Sequence, residues 1–124
     1  MGLLIDTQVL IWELMGSPQQ SRTVRQLLED EQQVLHISMA SLWEISIKTS
    51  LGKLSINPAY PDLLPQLRNY RLEILPISFA HTVAQHRLPW HHRDPFDRLL
   101  AAQAITEGLD LVSSDVIFDA YFTE

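Results

Sequence analysis

Four short apolar runs restrict this chain more than any other feature: Gly2-Leu3-Leu4-Ile5, Val34-Leu35-His36-Ile37, Leu72-Glu73-Ile74-Leu75 and Leu109-Asp110-Leu111-Val112. Each has strand length, and polar residues scarcely alternate with apolar ones. That is how a strand reads when both of its faces are buried, as in a parallel sheet covered by helices. The segments between the runs have helical spacing, so strand and helix alternate along the chain. The expected fold class is α/β, built on a short parallel sheet.

Local signals place the helices. Val9, Leu10, Trp12 and Leu14 carry helical spacing from the end of the first run to Gly16. Ser17-Pro18 reads as the start of a second helix, with Ser as N-cap and Pro at the first position. Its apolar face is Val24, Leu27 and Leu28. Ser38 caps MASLWEISIKTSLGKL, which stops near Gly52. Pro58, Pro61 and Pro65 punctuate a region with room for one short helix. Ser78 caps a helix to about Arg87. Asp94-Pro95 opens another that ends at Gly108. With 124 residues, no linker and no internal repeat, one domain over 1–124 is expected.

Composition excludes several classes. The chain has no cysteine, so disulfides and zinc–thiolate sites are ruled out and a reducing cytoplasm is the default compartment. No apolar run approaches the ~20 residues of a membrane span. The MGLLID start has no basic region and does not read as a signal peptide. A net charge of −6 argues against a protein that coats nucleic acid through a basic surface. It leaves room for an enzyme that touches nucleic acid locally, for bound cations and for a basic partner.

The acids carry the chemistry. Asp6 follows the first strand at once, and Asp115 lies a few residues past the fourth. Ligands of open parallel sheets bind outside the carboxyl ends of the strands, so both acids fall on that edge. Asp97, third in the helix that Asp94-Pro95 opens, starts near the same edge. Glu44 lies mid-helix in SLWEISIK, only ~20° on the helical wheel from the stripe Ala40, Trp43, Ile47, Leu51. Each has an ordinary alternative. Asp6 and Asp94 suit helix caps, Asp97 suits the positive end of a helix dipole, Asp115 suits a turn, and Glu44 suits an exposed ion pair with Lys48. Gathered together, such carboxylates repel one another and must take up protons or share a cation. All-oxygen ligands favour hard divalent ions, Mg²⁺ or Mn²⁺, which can polarise a phosphodiester and activate a water.

LLIDTQVLIW, SLWEISIKTSLGKL, LPWHHRDPFDRLLAAQA and LDLVSSDVIFDAY, in this order and spacing, resemble the PIN-domain family, and within it the VapC-type toxins of bacterial toxin–antitoxin pairs. The resemblance covers nearly the whole chain, and its third segment is the most specific. It implies a three-layer α/β/α sandwich and a metal-dependent ribonuclease with the acidic quartet Asp6, Glu44, Asp97 and Asp115, accompanied by Asp94. Asp6, Asp97 and Asp115 would hold Mg²⁺ or Mn²⁺, and Glu44 would orient or deprotonate the attacking water. It also implies a homodimer, and an antitoxin partner that reaches the acidic site with basic residues. The sequence departs from the pattern in three places. Gln8 stands where many relatives have His, and Ser113 where threonine is usual. The end at Glu124 puts the relatives' last short strand in question.

Around the acids, Arg98 and Arg93 are candidate phosphate contacts, with a salt bridge to a nearby acid as the alternative for Arg98. Thr7 and Ser113 are candidates to hydrogen-bond the acids. His91 and His92 fit a surface loop, His81 and His86 read as ordinary residues of a polar helix, and Trp12, Trp43 and Trp90 as core or dimer residues. Two other classes compete. One is a phosphotransfer protein, against which Gln8 stands where a dehalogenase-type site wants a second Asp, and no lysine follows Lys53. The other is a catalytically silent binding module, against which stands the complete quartet.

Overall fold

The computed structural model describes residues 2–89, 94–113 and, as backbone, 117–118. The chain runs β1 (Gly2–Ile5), α1 (Thr7–Met15), α2 (Arg22–Glu29), β2 (Val34–Ser38), α3 (Met39–Ser50), a 3₁₀ turn (Tyr60–Asp62), α4 (Leu64–Asn69), β3 (Leu72–Leu75), α5 (Phe79–Arg87), α6 (Pro95–Glu107), β4 (Asp110–Val112) and β5 (Ile117–Phe118). The sheet order is β3-β2-β1-β4-β5. The first four strands pair in parallel, with Leu4 opposite both His36 and Leu111, and β2 beside β3. β5 joins β4 antiparallel, so a fifth strand is present ahead of the DAY segment, and the sheet is parallel only over four.

The two faces of β1 explain its unbroken apolar run. Leu3 and Ile5 enter the larger core cluster, with Val9, Leu10 and Ile11 of α1, Val24 and Leu28 of α2, Leu42 and Ile45 of α3, and Leu67 of α4. Leu4 points the other way, into a smaller cluster with Leu100 and Ala104 of α6, Leu109 and Leu111. Successive side chains of a strand alternate between faces, so a strand clothed on both sides must be apolar throughout. The result is an α/β fold with helices on both sides of the sheet. Among the described residues no helix is long and apolar enough to cross a membrane.

Two expectations of local structure are corrected. Ser17-Pro18 does not open α2. Gly16 ends α1 in the left-handed region at φ 60°, and Ser17 N–H closes the cap on Trp12 O at 2.9 Å. Pro18 thus serves as the stop beyond a helix end, where proline is common. The N-cap is Ser21, whose hydroxyl accepts from Val24 N–H at 3.1 Å. The stripe Ala40, Trp43, Ile47, Leu51 is not the inner face of α3 either. The buried residues are Ala40, Ser41, Leu42, Glu44 and Ile45, while Trp43 is 59% exposed. α3 packs on β2, α1 and α6, and their placement turns its buried face toward Glu44.

Candidate metal and catalytic site

The site begins with the turn that ends β1. Asp6 N–H still donates to Val112 O at 3.0 Å, continuing the pairing with β4 one residue past the strand. The chain then turns into α1, and the Asp6 carboxylate accepts from Val9 N–H at 2.8 Å as its N-cap. Capping therefore holds one carboxylate oxygen and leaves the group at the carboxyl edge of β1. α6 repeats the device. Asp94 accepts from Phe96 N–H at 2.8 Å, Pro95 takes the first helical position, and Asp97 follows in the first turn. Carboxylates are stabilised at both helix starts by unpaired amides and the positive end of the helix dipole.

Glu44 arrives from the middle of α3. Its residue is only 9% exposed, and its carboxylate meets Lys48 Nζ at 3.0 Å. The ion pair foreseen as the innocent alternative is thus present, but on a buried acid beside the sheet edge. Asp6, Thr7, Gln8, Ile11, Glu44, Lys48, Asp94 and Asp97 line one cleft of ≈ 230 Å³. The cleft gathers acids from three separated segments of the chain.

Its electrostatics show in Asp6, whose pKa is raised from 3.8 to about 6. Burial is the largest cause, and repulsion from Asp97 and Glu44 adds to it, while the hydrogen bond from Val9 N–H opposes the rise. A carboxyl group that resists ionisation because it is buried, and further because other carboxylates stand near it, is a group that a cation would relieve. The acids around it, Glu44, Asp94 and Asp97, offer oxygen ligands, which suit a hard divalent ion rather than zinc in a thiolate cage. Among the described residues, no three acids or histidines already stand at ligating distance about one point. Asp115 lies outside the described residues, as do Arg93, His91, His92 and Trp90. Ser113 directly follows β4, at the same edge of the sheet as Asp6.

Other expected residues fall elsewhere. Arg98 is not placed to touch phosphate, because it is 0% exposed and its guanidinium donates to the carbonyls of Pro89, Gln85 and Leu88 at 2.8, 2.9 and 3.3 Å. Thr7 lines the cleft but donates its hydroxyl to Ser41 Oγ at 2.8 Å instead of to an acid, tying α1 to α3. His81 is no ordinary surface residue. It is 1% exposed, its Nδ1 accepts from Ser78 N–H at 3.0 Å, and its Nε2 lies 2.7 Å from Glu107. Since Nδ1 accepts, the ring proton sits on Nε2 and faces the carboxylate. Trp43 belongs to no core; its ring meets Phe96 edge-on at 5.6 Å. Lys48 lines the cleft as well, where the sequence alone points to it only as a partner for Glu44. Its position one turn beyond Glu44 on α3 was the available sequence signal.

A family model described as PIN domain matches residues 3–121. Comparison with curated proteins returns no match.

Proposed function

The chain belongs to the PIN-domain family, whose members are generally nucleases that use divalent metal ions, and from that premise we propose that it is an endoribonuclease dependent on Mg²⁺ or Mn²⁺. We further propose that it acts in the cytoplasm as the toxin of a toxin–antitoxin pair, as a homodimer restrained by a basic antitoxin segment. The observation that supports the reading is the convergence of Asp6, Glu44 and Asp97 on one cleft at the carboxyl edge of a parallel sheet.

In this reading Asp6, Asp97 and Asp115 hold the cation, directly or through waters. A bound divalent ion supplies charge neutralisation for the phosphate and a water of lowered pKa. Glu44 would orient the attacking water and accept its proton, and Lys48, 3.0 Å from the Glu44 carboxylate, holds that carboxylate at the cleft. The caps at Asp6 and Asp94 set the carboxylates before any ion binds, which reduces the reorganisation the site needs.

The test is cleavage of a mixed RNA pool by purified protein with Mg²⁺ or Mn²⁺, beside Asp97→Asn. Cleavage that EDTA stops and the variant lacks is expected. Ion binding without cleavage of any RNA, or cleavage that persists in Asp97→Asn, would overturn the assignment. With neither cleavage nor ion binding, the chain would be a binding module on a nuclease fold.

A further inference from the structure

We infer that Arg98, which points away from the cleft, is a positioning residue for the carboxylates on the other side of its own helix turn. The inference rests on the metal-nuclease reading of the cleft. An arginine is always charged, and a guanidinium withdrawn from water is tolerated only where good acceptors surround it. Here the acceptors are main-chain carbonyls at the end of α5: Gln85 O at 2.9 Å, Leu88 O at 3.3 Å and Pro89 O at 2.8 Å. Carbonyls at a helix end lack partners within the helix and form the negative pole of its dipole. α1 and α6 end on glycines in the left-handed region, whereas α5 ends on Leu88 in extended backbone, followed by Pro89. There Leu88 N–H donates to Gln85 O at 3.3 Å, and a side chain from α6 completes the closure of α5.

That closure reaches the acids through the backbone. Arg98 N–H donates to Asp94 O at 3.1 Å, the first hydrogen bond of α6. Asp97 is its chain neighbour. The first turn of α6, bearing Asp94 and Asp97, is therefore one rigid unit fastened at Arg98 to the end of α5. Asp97 is exposed, so packing of its own side chain contributes little to where its carboxylate stands. The backbone of the turn is the part of that position that Arg98 fixes. A second fastening lies about one and a half turns further along α6. Gln103, 0% exposed, donates to Pro76 O and to His81 Nδ1, both at 3.3 Å, and His81 meets Glu107. The far fastening holds the same two helices together but carries no acid of the cleft, which makes it the natural control.

The experiment measures Mn²⁺ binding to the full chain by titration calorimetry, in wild type, Arg98→Lys and Gln103→Met, with thermal unfolding of each. Lysine keeps the charge but cannot span three carbonyls with a planar fork. Arg98→Lys is expected to weaken Mn²⁺ binding by at least about tenfold, in the range seen when groups that orient metal ligands are removed. Gln103→Met is expected to lower the unfolding temperature and leave Mn²⁺ affinity within about twofold of wild type, as expected for a fastening that orients no ligand. Arg98→Gln, which keeps amide donors without burying a charge, carries the comparison if the lysine variant does not fold. Arg98 variants that bind Mn²⁺ like Gln103→Met would reduce Arg98 to a helix cap and overturn the inference alone. A wild-type protein that binds no Mn²⁺ would overturn the metal-nuclease reading, and this inference with it.

Discussion

Replacing Asp6 with asparagine is expected to stabilise the ion-free protein while removing its response to divalent ions. The folded protein raises the Asp6 pKa from 3.8 to about 6, chiefly by burial and then by the charges of Asp97 and Glu44. Folding therefore favours the protonated acid. Below about 4 the group is protonated folded or unfolded and costs nothing. Between about 4 and 6 the folded state binds more protons, so stability falls as pH rises, and above about 6 the penalty is complete. At 1.36 kcal/mol per pKa unit it amounts to about 3 kcal/mol, and water in the open cleft reduces it to roughly half. Asparagine stays neutral at every pH and caps a helix about as well as aspartate, so the hydrogen bond from Val9 N–H survives. In EDTA at pH 7.5, Asp6→Asn should therefore unfold about 6 °C higher than wild type, at roughly 4 °C per kcal/mol for a chain of this size. At pH 4 the two proteins should nearly coincide. With Mg²⁺ at 100 times its dissociation constant, wild type should gain about 2.7 kcal/mol and the variant almost nothing. A variant less stable than wild type at pH 7.5, or one sharing its pH slope between 4 and 6, would show that Asp6 serves as a cap without electrostatic strain.

Three further outcomes follow from the same structure. RNA cleavage at fixed Mg²⁺ should fall as pH drops through about 6, because protonation of Asp6 competes with the cation; a profile flat from pH 8 to 5 would contradict that role. Gly108→Ala should cost about 1 kcal/mol by urea unfolding, since φ is 67° at the end of α6 and open space around the position rules out a clash as the cause. Ser38→Ala should also cost about 1 kcal/mol, because the buried hydroxyl accepts from Ala40 N–H at 2.9 Å at the start of α3; an unchanged unfolding midpoint would mean that water replaces the cap.

In the proposed site the groups that oppose stability are the ones that would serve function. In the ion-free protein the charges of Asp97 and Glu44 add to burial in raising the Asp6 pKa, and in the proposed site a cation would relieve that repulsion. That is the pattern of a site whose residues are not optimised for folding. The ion pair of Glu44 with Lys48 partly offsets the repulsion without neutralising Asp6.

Local chemistry alone determined most of the architecture. Short, mostly apolar runs marked the four parallel strands, because strands covered on both faces have little polar side to display. Ser38, Ser78 and Asp94 marked helix starts and Gly16 and Gly108 helix ends, because a cap acts on amides or carbonyls within a few residues of itself. The order of strands and caps also put Asp6 and Asp97 at one edge of the sheet. Ser17-Pro18 misled because a helix stop and a helix start use the same residue types when they are four residues apart. What only the tertiary structure decided concerns which faces are covered. The periodicity of α3 offers more than one apolar face, and its neighbours chose the one holding Glu44 and left Trp43 in water. Arg98 and His81 look like surface residues in one dimension. They are buried because the end of α5 and the flank of α6 supply acceptors that are 9 to 26 positions away in the chain. Burial of a polar side chain depends on partners brought by packing, and no local pattern of residues records where those partners will stand.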